Sequence, residues 1–447
     1  MTNKLFFSFA LSICFSVNSL AQVNLDSIYS LNRHQLEETI NQIRDEQGED
    51  SLGRFFDAFI EYRNYHRALK KLETYRTHQG LDTLEHVDLS DCRLNVIPDF
   101  VYECTQVSSI DLSGNSIEAL PEKLNTLPHL RKIKLNKNVD TIKKLKVARL
   151  KQIKEVTLKH NELKRIPRRF KRLDSLEFLD ISYNDFKRIK GRIKRFKKLE
   201  GFNISGNEEL GEEFRAFRKL NNLEALYASS MQWTVIPEDV YEMNSLKKLI
   251  VRENQLTSVS SKIGNLNQLT ELSFYKNQLT ELPVELFSLS DLRELDLFHN
   301  QLTSIPEEIS NLKQMTSLYL AFNRISYLPE SIGDMNLRQI YVHHNNLSSL
   351  PNSLSQMDSL YTIRFNYNQL TEFPSSLLQL KHLNFIDMSN NDIKQIPEEL
   401  KLMKELEILS MDKSGNSIDD KLYADQNENV LTELYKRGVN INYGDPE

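Results

Sequence analysis

"LTELSFYKNQLTELP", Leu269–Pro283, and "LRELDLFHNQLTSIP", Leu292–Pro306, stand twenty-three residues apart and share one skeleton. Leucine, asparagine and proline return in place, while SFYK changes to DLFH. Aligning the chain on the first leucine of this block gives starts at Leu84, Val107, Leu130, Ile153, Leu176, Leu199, Leu223, Leu246, Leu269, Leu292, Met315, Leu337, Leu360, Leu383 and Leu406. Of the fourteen spacings between these fifteen repeats, twelve are 23 residues, one is 24 and one is 22. Asparagine fills the ninth position in twelve repeats, and ten of the chain's twelve prolines, Pro98 through Pro397, share the fifteenth. A fixed period of this length marks a stacked repeat architecture.

In the LxLxx core of the block, apolar and variable residues alternate with the period of a strand, leucines on one face. One repeat cannot bury its leucines alone, but stacked repeats share a continuous core. The asparagine turns inward with the chain, where its amide can donate to and accept from backbone groups that the turn leaves unpaired. Proline fixes φ and gives up its N–H where the chain turns outward. The constant letters therefore build a scaffold, and the variable letters of the strand face solvent.

The pattern LxxLxLxxNxLxxLPxxLxxL resembles the leucine-rich repeat family, in particular the 23-residue proline-bearing type of Ras-suppressor-like and plant intracellular Ras-group proteins. The resemblance implies an α/β solenoid, a horseshoe with a parallel concave sheet and an irregular or helical convex side. Both ends need caps, because an open solenoid end exposes apolar surface and strand edges. The expected organisation is a leader over residues 1–21, a helical N-terminal cap over 22–80, the solenoid over 81–413 and a C-terminal cap over 414–447. Leu52, Phe55, Phe56, Phe59, Tyr62, His66, Leu69 and Leu72 recur at helical steps, with Asp50 or Ser51 as N-cap and Gly80 as the stop. Lys421 to Arg437 reads as a closing amphipathic helix.

Irregularities are expected in the first half. The third, fifth and sixth repeats carry Lys144, Lys190 and Glu213 in place of proline. The seventh has Met231 in place of asparagine and the only tryptophan, Trp233, at an inward position. A bend or widening is expected there.

The first residues, MTNKLFFSFALSICFSVNSLAQ, combine Lys4, an apolar run from Leu5 to Val17 and the small-x-small pattern Ser19-Leu20-Ala21. This is the pattern of a cleaved secretion signal. The apolar run falls short of the about 20 residues that a membrane span needs. The mature chain is therefore expected to be exported, periplasmic or extracellular, and not membrane-spanning. Cys92 and Cys104 both fall at apolar repeat positions, so two buried thiols are favoured over one bridge.

The chain is 27% charged with a formal charge of -5, which gives no global sign of nucleic-acid binding. Charge is nonetheless uneven: Arg131 to Lys198 holds 25 Lys and Arg against 7 Asp and Glu, a balance of +18. Within it, Lys132, Lys134, Lys137 and Lys159 are the concave candidates for anion binding, toward an anionic glycan or lipid headgroup. A solvated face balancing acidic residues elsewhere is the alternative. Aromatics are not interleaved with these cations, which argues against single-stranded nucleic acid.

On the ninth to thirteenth repeats, the variable positions carry Tyr275, Phe298, His299, Tyr319, Phe322, Tyr341, His343, His344, Arg364 and Tyr367. Neighbouring strands lie about 4.8 Å apart, so these side chains are expected to form one aromatic strip. Clustered exposed aromatics and arginine are typical of surfaces that bind a protein or peptide; mutual stacking for stability is the other reading. His299 and His343 are two strand spacings apart, so no metal site is expected. No cofactor motif or catalytic constellation is found: there is no glycine-rich phosphate loop, HExxH or GxSxG. A non-catalytic recognition module is the leading expectation, with a structural or adhesion scaffold of the cell envelope as a further alternative.

Overall fold

A computed structural model describes residues 38, 40, 41, 66–75, 77, 80–189, 193–210, 214, 217, 220–411 and 429–443. The expected leader, the apolar positions Leu52 to Tyr62, the proline substitutes Lys190 and Glu213, and residues 421–428 lie outside them. The chain divides into two compact bodies, Met1–Ala148 and Arg149–Glu447.

In the first body, strands β1 (His86–Asp88), β2 (Ser109–Asp111) and β4 (Lys132–Lys134) pair in parallel. Their register is that of the repeat: Val87, Ile110 and Ile133 are neighbours, and all three are buried. A second pairing joins β3 (Ala119–Leu120) to β5 (Lys146–Val147). Where the third repeat lacks its proline, a short helix α2 (Val139–Ile142) takes over, and Lys144 donates its N–H to Thr141 at 2.9 Å. Helix α1 (66–75) lies against the first strand. Tyr75 stacks on Phe100 at 5.4 Å, and its hydroxyl accepts the N–H of Asp88 at 2.8 Å. Lys71 pairs with Asp88 at 2.7 Å. Gly80 adopts a left-handed φ of 90°, as a stop residue requires.

The second body carries an unbroken parallel ladder of thirteen strands among its described residues. These are β6 (Glu155–Thr157), β7 (Phe178–Asp180), β8 (Gly201–Asn203), β9 (Ala225–Tyr227), β10 (Lys248–Ile250), β11 (Glu271–Ser273) and β12 (Glu294–Asp296). They continue as β13 (Ser317–Tyr319), β14 (Gln339–Tyr341), β15 (Thr362–Arg364), β16 (Phe385–Asp387), β17 (Ile408–Met411) and β18 (Asn440–Tyr443). A short strand suffices because the repeats from β6 to β16 commit only their third to fifth residues to the sheet, and the fourth is a buried apolar residue. Helix α3 (429–436) buries Val430, Leu431 and Leu434, and the Arg437 guanidinium donates to the carbonyl of Met403 at 2.7 Å.

The opposite side of the proline-bearing repeats is a five-residue 3-10 helix opened by the proline. Pro283, at φ -69° and ψ 141°, leads into Val284–Ser288, and its carbonyl accepts the N–H of Leu286 at 3.0 Å. The eighth repeat has Ser260 there, and its hydroxyl caps by accepting the N–H of Lys262 at 3.3 Å.

The buried asparagines form the polar spine of the core. Nδ2 of Asn300 donates to the carbonyls of Phe274, Leu297 and Phe298 at 3.0, 3.1 and 3.3 Å. Its Oδ1 accepts the N–H of Leu279 at 3.1 Å. Each such side chain thus ties its own turn to the preceding repeat. At Met231 the expected widening does not show in the strand pairing, because Gly201, Ala225 and Lys248 stay in register. Oδ1 of Asn254 accepts the N–H groups of Met231 and Trp233 at 2.9 and 3.2 Å, the same bonds that Asn184 makes to Asn161 and Leu163. Trp233 meets Phe214 edge-on at 5.4 Å inside the core.

Candidate recognition surface

The fifth and seventh positions of a repeat and the eighth play different parts, which the strand alternation alone does not separate. Every described eighth position from Asp91 to Asn390 has positive φ. The chain leaves the strand there with a left-handed residue, and in two repeats that residue is glycine, Gly114 and Gly206. His299, Phe322, His344 and Tyr367 occupy this position with φ between 51° and 55°. Their rings stack face to face from repeat to repeat: His299 on Phe322 at 4.2 Å, Phe322 on His344 at 4.1 Å, and His344 on Tyr367 at 4.0 Å. Tyr275 meets His299 edge-on at 5.4 Å.

A second row lies on the strands. Tyr319 of β13 stacks on Tyr341 of β14 at 5.2 Å with planes 8° apart, and Phe298 packs on Tyr319 at 5.5 Å. Arg364 of β15 places its guanidinium over Tyr341 at 6.0 Å and over Phe385 at 4.9 Å. His343 joins the rows, 5.7 Å from Phe298 and 5.4 Å from Phe322. All ten residues singled out from the sequence therefore belong to one contact network. They are half-buried, apart from the exposed Phe322. Stacked faces cover one another, and Nδ1 of His343 is buried among them without a hydrogen-bond partner among the described residues.

Burial sets the electrostatics of this wall. The His343 imidazole is pulled down to about 4, first by burial and then by the nearby His344 and Arg364. Burial, with Lys276, lowers His299 as well. The Tyr341 phenol is pushed up by burial and by Tyr319. Burial thus favours the neutral imidazole at both His299 and His343. The histidines of the wall lie against ring faces and do not converge on a point, and no group of three His, Cys, Asp or Glu suited to a metal occurs among the described residues.

Sequence reasoning missed two components. Phe385, at a third position, extends the wall beneath Arg364. On β10 to β12, Arg252 bonds the Ser273 hydroxyl at 2.7 Å, which donates to Asp296 Oδ2 at 2.8 Å. Arg252 also pairs with Asp296 at 3.3 Å, and Lys248 pairs with Glu271. The Glu294 carboxyl beside them is raised by burial and by Glu271 and Asp296. Repeat position gives the facing of these side chains, but their pairing depends on which charges happen to stand on adjacent strands.

The concave lysines are divided. Lys132, Lys134 and Lys137 belong to the first body and Lys159 to the second. Lys134 is engaged by Asp111 at 3.1 Å, Lys137 stands at a left-handed eighth position, and Lys159 lies over the Tyr183 ring at 4.6 Å.

The family "Leucine rich repeat" matches residues 244–302 and 267–325, and "Leucine Rich Repeat" matches 336–357. The "BspA type Leucine rich repeat region (6 copies)" matches residues 64–144 and 95–224. This is a leucine-rich repeat protein. No match was found among curated proteins. Among solved structures, a leucine-rich repeat protein of Leptospira interrogans is similar at 23% identity and TM-score 0.64, covering 83% of this chain and 98% of that one. The leucine-rich repeat ectodomain of a plant membrane receptor kinase from Arabidopsis thaliana, in complex with Casparian strip integrity factor 2, is similar at 24% identity and TM-score 0.51. That match covers 73% of this chain and 47% of that one. Toll in the Drosophila Toll–Spatzle complex is similar at 19% identity and TM-score 0.54, over 75% of this chain and 52% of that one. At these identities the likeness concerns the fold. The leucine-rich repeat solenoid is the architecture of this chain.

Proposed function

We propose that this leucine-rich repeat protein is an exported, non-catalytic recognition module that takes a protein or peptide on the inner wall of its ninth to thirteenth repeats. The observation that supports this reading most is the double row of rings from Tyr275 to Tyr367, with the Arg364 guanidinium among them. Nothing in the repeat requires rings at these positions, since other repeats fill the eighth with Asp91, Ser230 or Glu253 and the fifth with Ser273 or Ile250. Prestacked rings lose little rotamer freedom on binding and offer broad apolar edges with polar tips, which suits a protein or peptide ligand. The similar folds of the plant receptor kinase and of Toll are each seen in complex with a partner. The leader-like first residues support export, and among the described residues no helix is long and apolar enough to cross a membrane. The repeats belong on this reading to the 23-residue proline-bearing type, and α1 and α3 serve as caps.

Replacing Tyr319, Phe322 and Tyr341 together with alanine tests the reading. Loss of partner capture by a variant that remains folded by circular dichroism is the expected result. Unchanged capture contradicts it.

A further inference from the structure

The cations of the fourth and fifth repeats form a second surface, on the side of the 3-10 helices and away from the ring wall. The helix Arg168–Arg172 and the helix Ile193–Arg195 occupy equivalent positions one repeat apart. Lys171 and Lys194 are therefore register neighbours, as are Arg172 and Arg195. Like charges at such positions repel, and burying the leucines does not require them. The same helices elsewhere open with acids, Glu238 and Asp239, Glu307 and Glu308, or Glu398 and Glu399. The fold thus tolerates either sign here, and on these two repeats it collects one sign.

Pairing does not neutralise the collection. Arg168, Arg169, Lys171, Lys194, Arg195 and Lys197 are all exposed, and none has an ion-pair partner among the described residues. Three of them surround a cavity of about 60 Å³, lined by Ile166, Pro167, Arg168, Lys171, Arg195 and Phe196. Its floor is apolar, because Ile166, Pro167 and Phe196 are buried. Its rim carries two guanidinium groups and an ammonium and no carboxylate. Guanidinium matches phosphate in bidentate geometry, while the ammonium supplies a point charge. The apolar floor and cationic rim suit one tetrahedral oxyanion. The surrounding cations face outward, where a single small ion would leave most of them unengaged. A surface that presents many anions at once engages them together.

From this geometry we infer that the 3-10 face of the fourth and fifth repeats docks on an anionic phospholipid surface, one headgroup phosphate entering the cavity bounded by Arg168, Lys171 and Arg195. The contact is electrostatic and peripheral. No large hydrophobic side chain is exposed on these two helices, so the chain rests on headgroups without inserting. The ring wall stays free for a partner, and the two activities are separable.

The test is sedimentation of the full chain with vesicles of phosphatidylcholine alone and of phosphatidylcholine mixed with phosphatidylglycerol. The chain is expected to bind only the mixed vesicles and to be released by raising the salt, because exposed charges are screened within about 10 Å at 0.1 M ionic strength. The triple variant R168Q, K171Q and R195Q should lower the partition coefficient at least ~10-fold, the scale expected from neutralising three phosphate-facing cations. These side chains are exposed, so an unchanged thermal transition confirms the folded state. A second variant, K132Q with K134Q, should bind like the parent. Equal binding by the parent and the triple variant overturns the proposal. So does release by inorganic phosphate at matched phosphate concentration, which would mark a site for the free ion. Retention on an acidic polysaccharide without vesicle binding overturns it in favour of a glycan.

Discussion

His344 and Tyr367 lie face to face, ring centroids 4.0 Å apart and planes 11° apart, each at a left-handed position three residues past its strand. A non-glycine residue with positive φ is strained by roughly 1–2 kcal/mol. Ring-on-ring contact at the repeat spacing offsets part of that cost. A double-mutant cycle of His344→Ala and Tyr367→Ala should therefore give a coupling of about 0.5–1.5 kcal/mol in urea unfolding. Additive effects would mean that the rings merely sit side by side.

Acid should loosen the wall. The folded chain holds His343 neutral down to about pH 4, while the exposed imidazole of the unfolded chain titrates near 6.5. Between those values the unfolded chain binds the extra proton, so stability falls as the pH drops across that window. His299 shifts in the same direction. His343→Gln should flatten the decline of the denaturation midpoint between pH 6.5 and 4, and a parallel decline in the variant would exclude His343 as its source.

The asparagine spine should be sensitive to truncation. Asn300→Ala leaves the N–H of Leu279 without its acceptor and removes Nδ2 from three carbonyls. A loss of roughly 2–4 kcal/mol is expected, since an unsatisfied buried group costs about 1–3 kcal/mol. Chemical denaturation measures it. A change under about 0.5 kcal/mol, the scale of a neutral surface substitution, would show that water replaces the amide.

Cys92 and Cys104 are free, buried thiols, and burial raises both above their ordinary range. A thiol reagent should label neither in the native chain and both once denaturant is added. Rapid native labelling would mean that the first repeat opens readily.

The period told most about the fold. It located the fourth-position leucines, the asparagine spine and the prolines because each is a fixed answer to burial or backbone pairing. It also separated the wall from the core, and Phe298 and Tyr341 do lie on the wall with partial exposure. It did not distinguish His299 and Phe322, past the end of the strand, from Tyr319 and Tyr341 upon it. Alternation reports facing and not φ, and a left-handed residue turns its side chain out of the strand's pleat. Phe385 escaped notice because its third position is occupied by Glu271, Ser317 or Thr362 elsewhere. At Met231 the missing amide suggested a breach, but the strands on either side keep the common register, which the shared leucine core sets across repeats.

The most direct measurement is affinity capture from native extract with the chain from residue 22 onward, run beside the Tyr319→Ala, Phe322→Ala and Tyr341→Ala triple variant. The partner should be retained by the parent and lost by the variant, with both equally folded by circular dichroism. Equal retention by the two would contradict recognition through the ring wall.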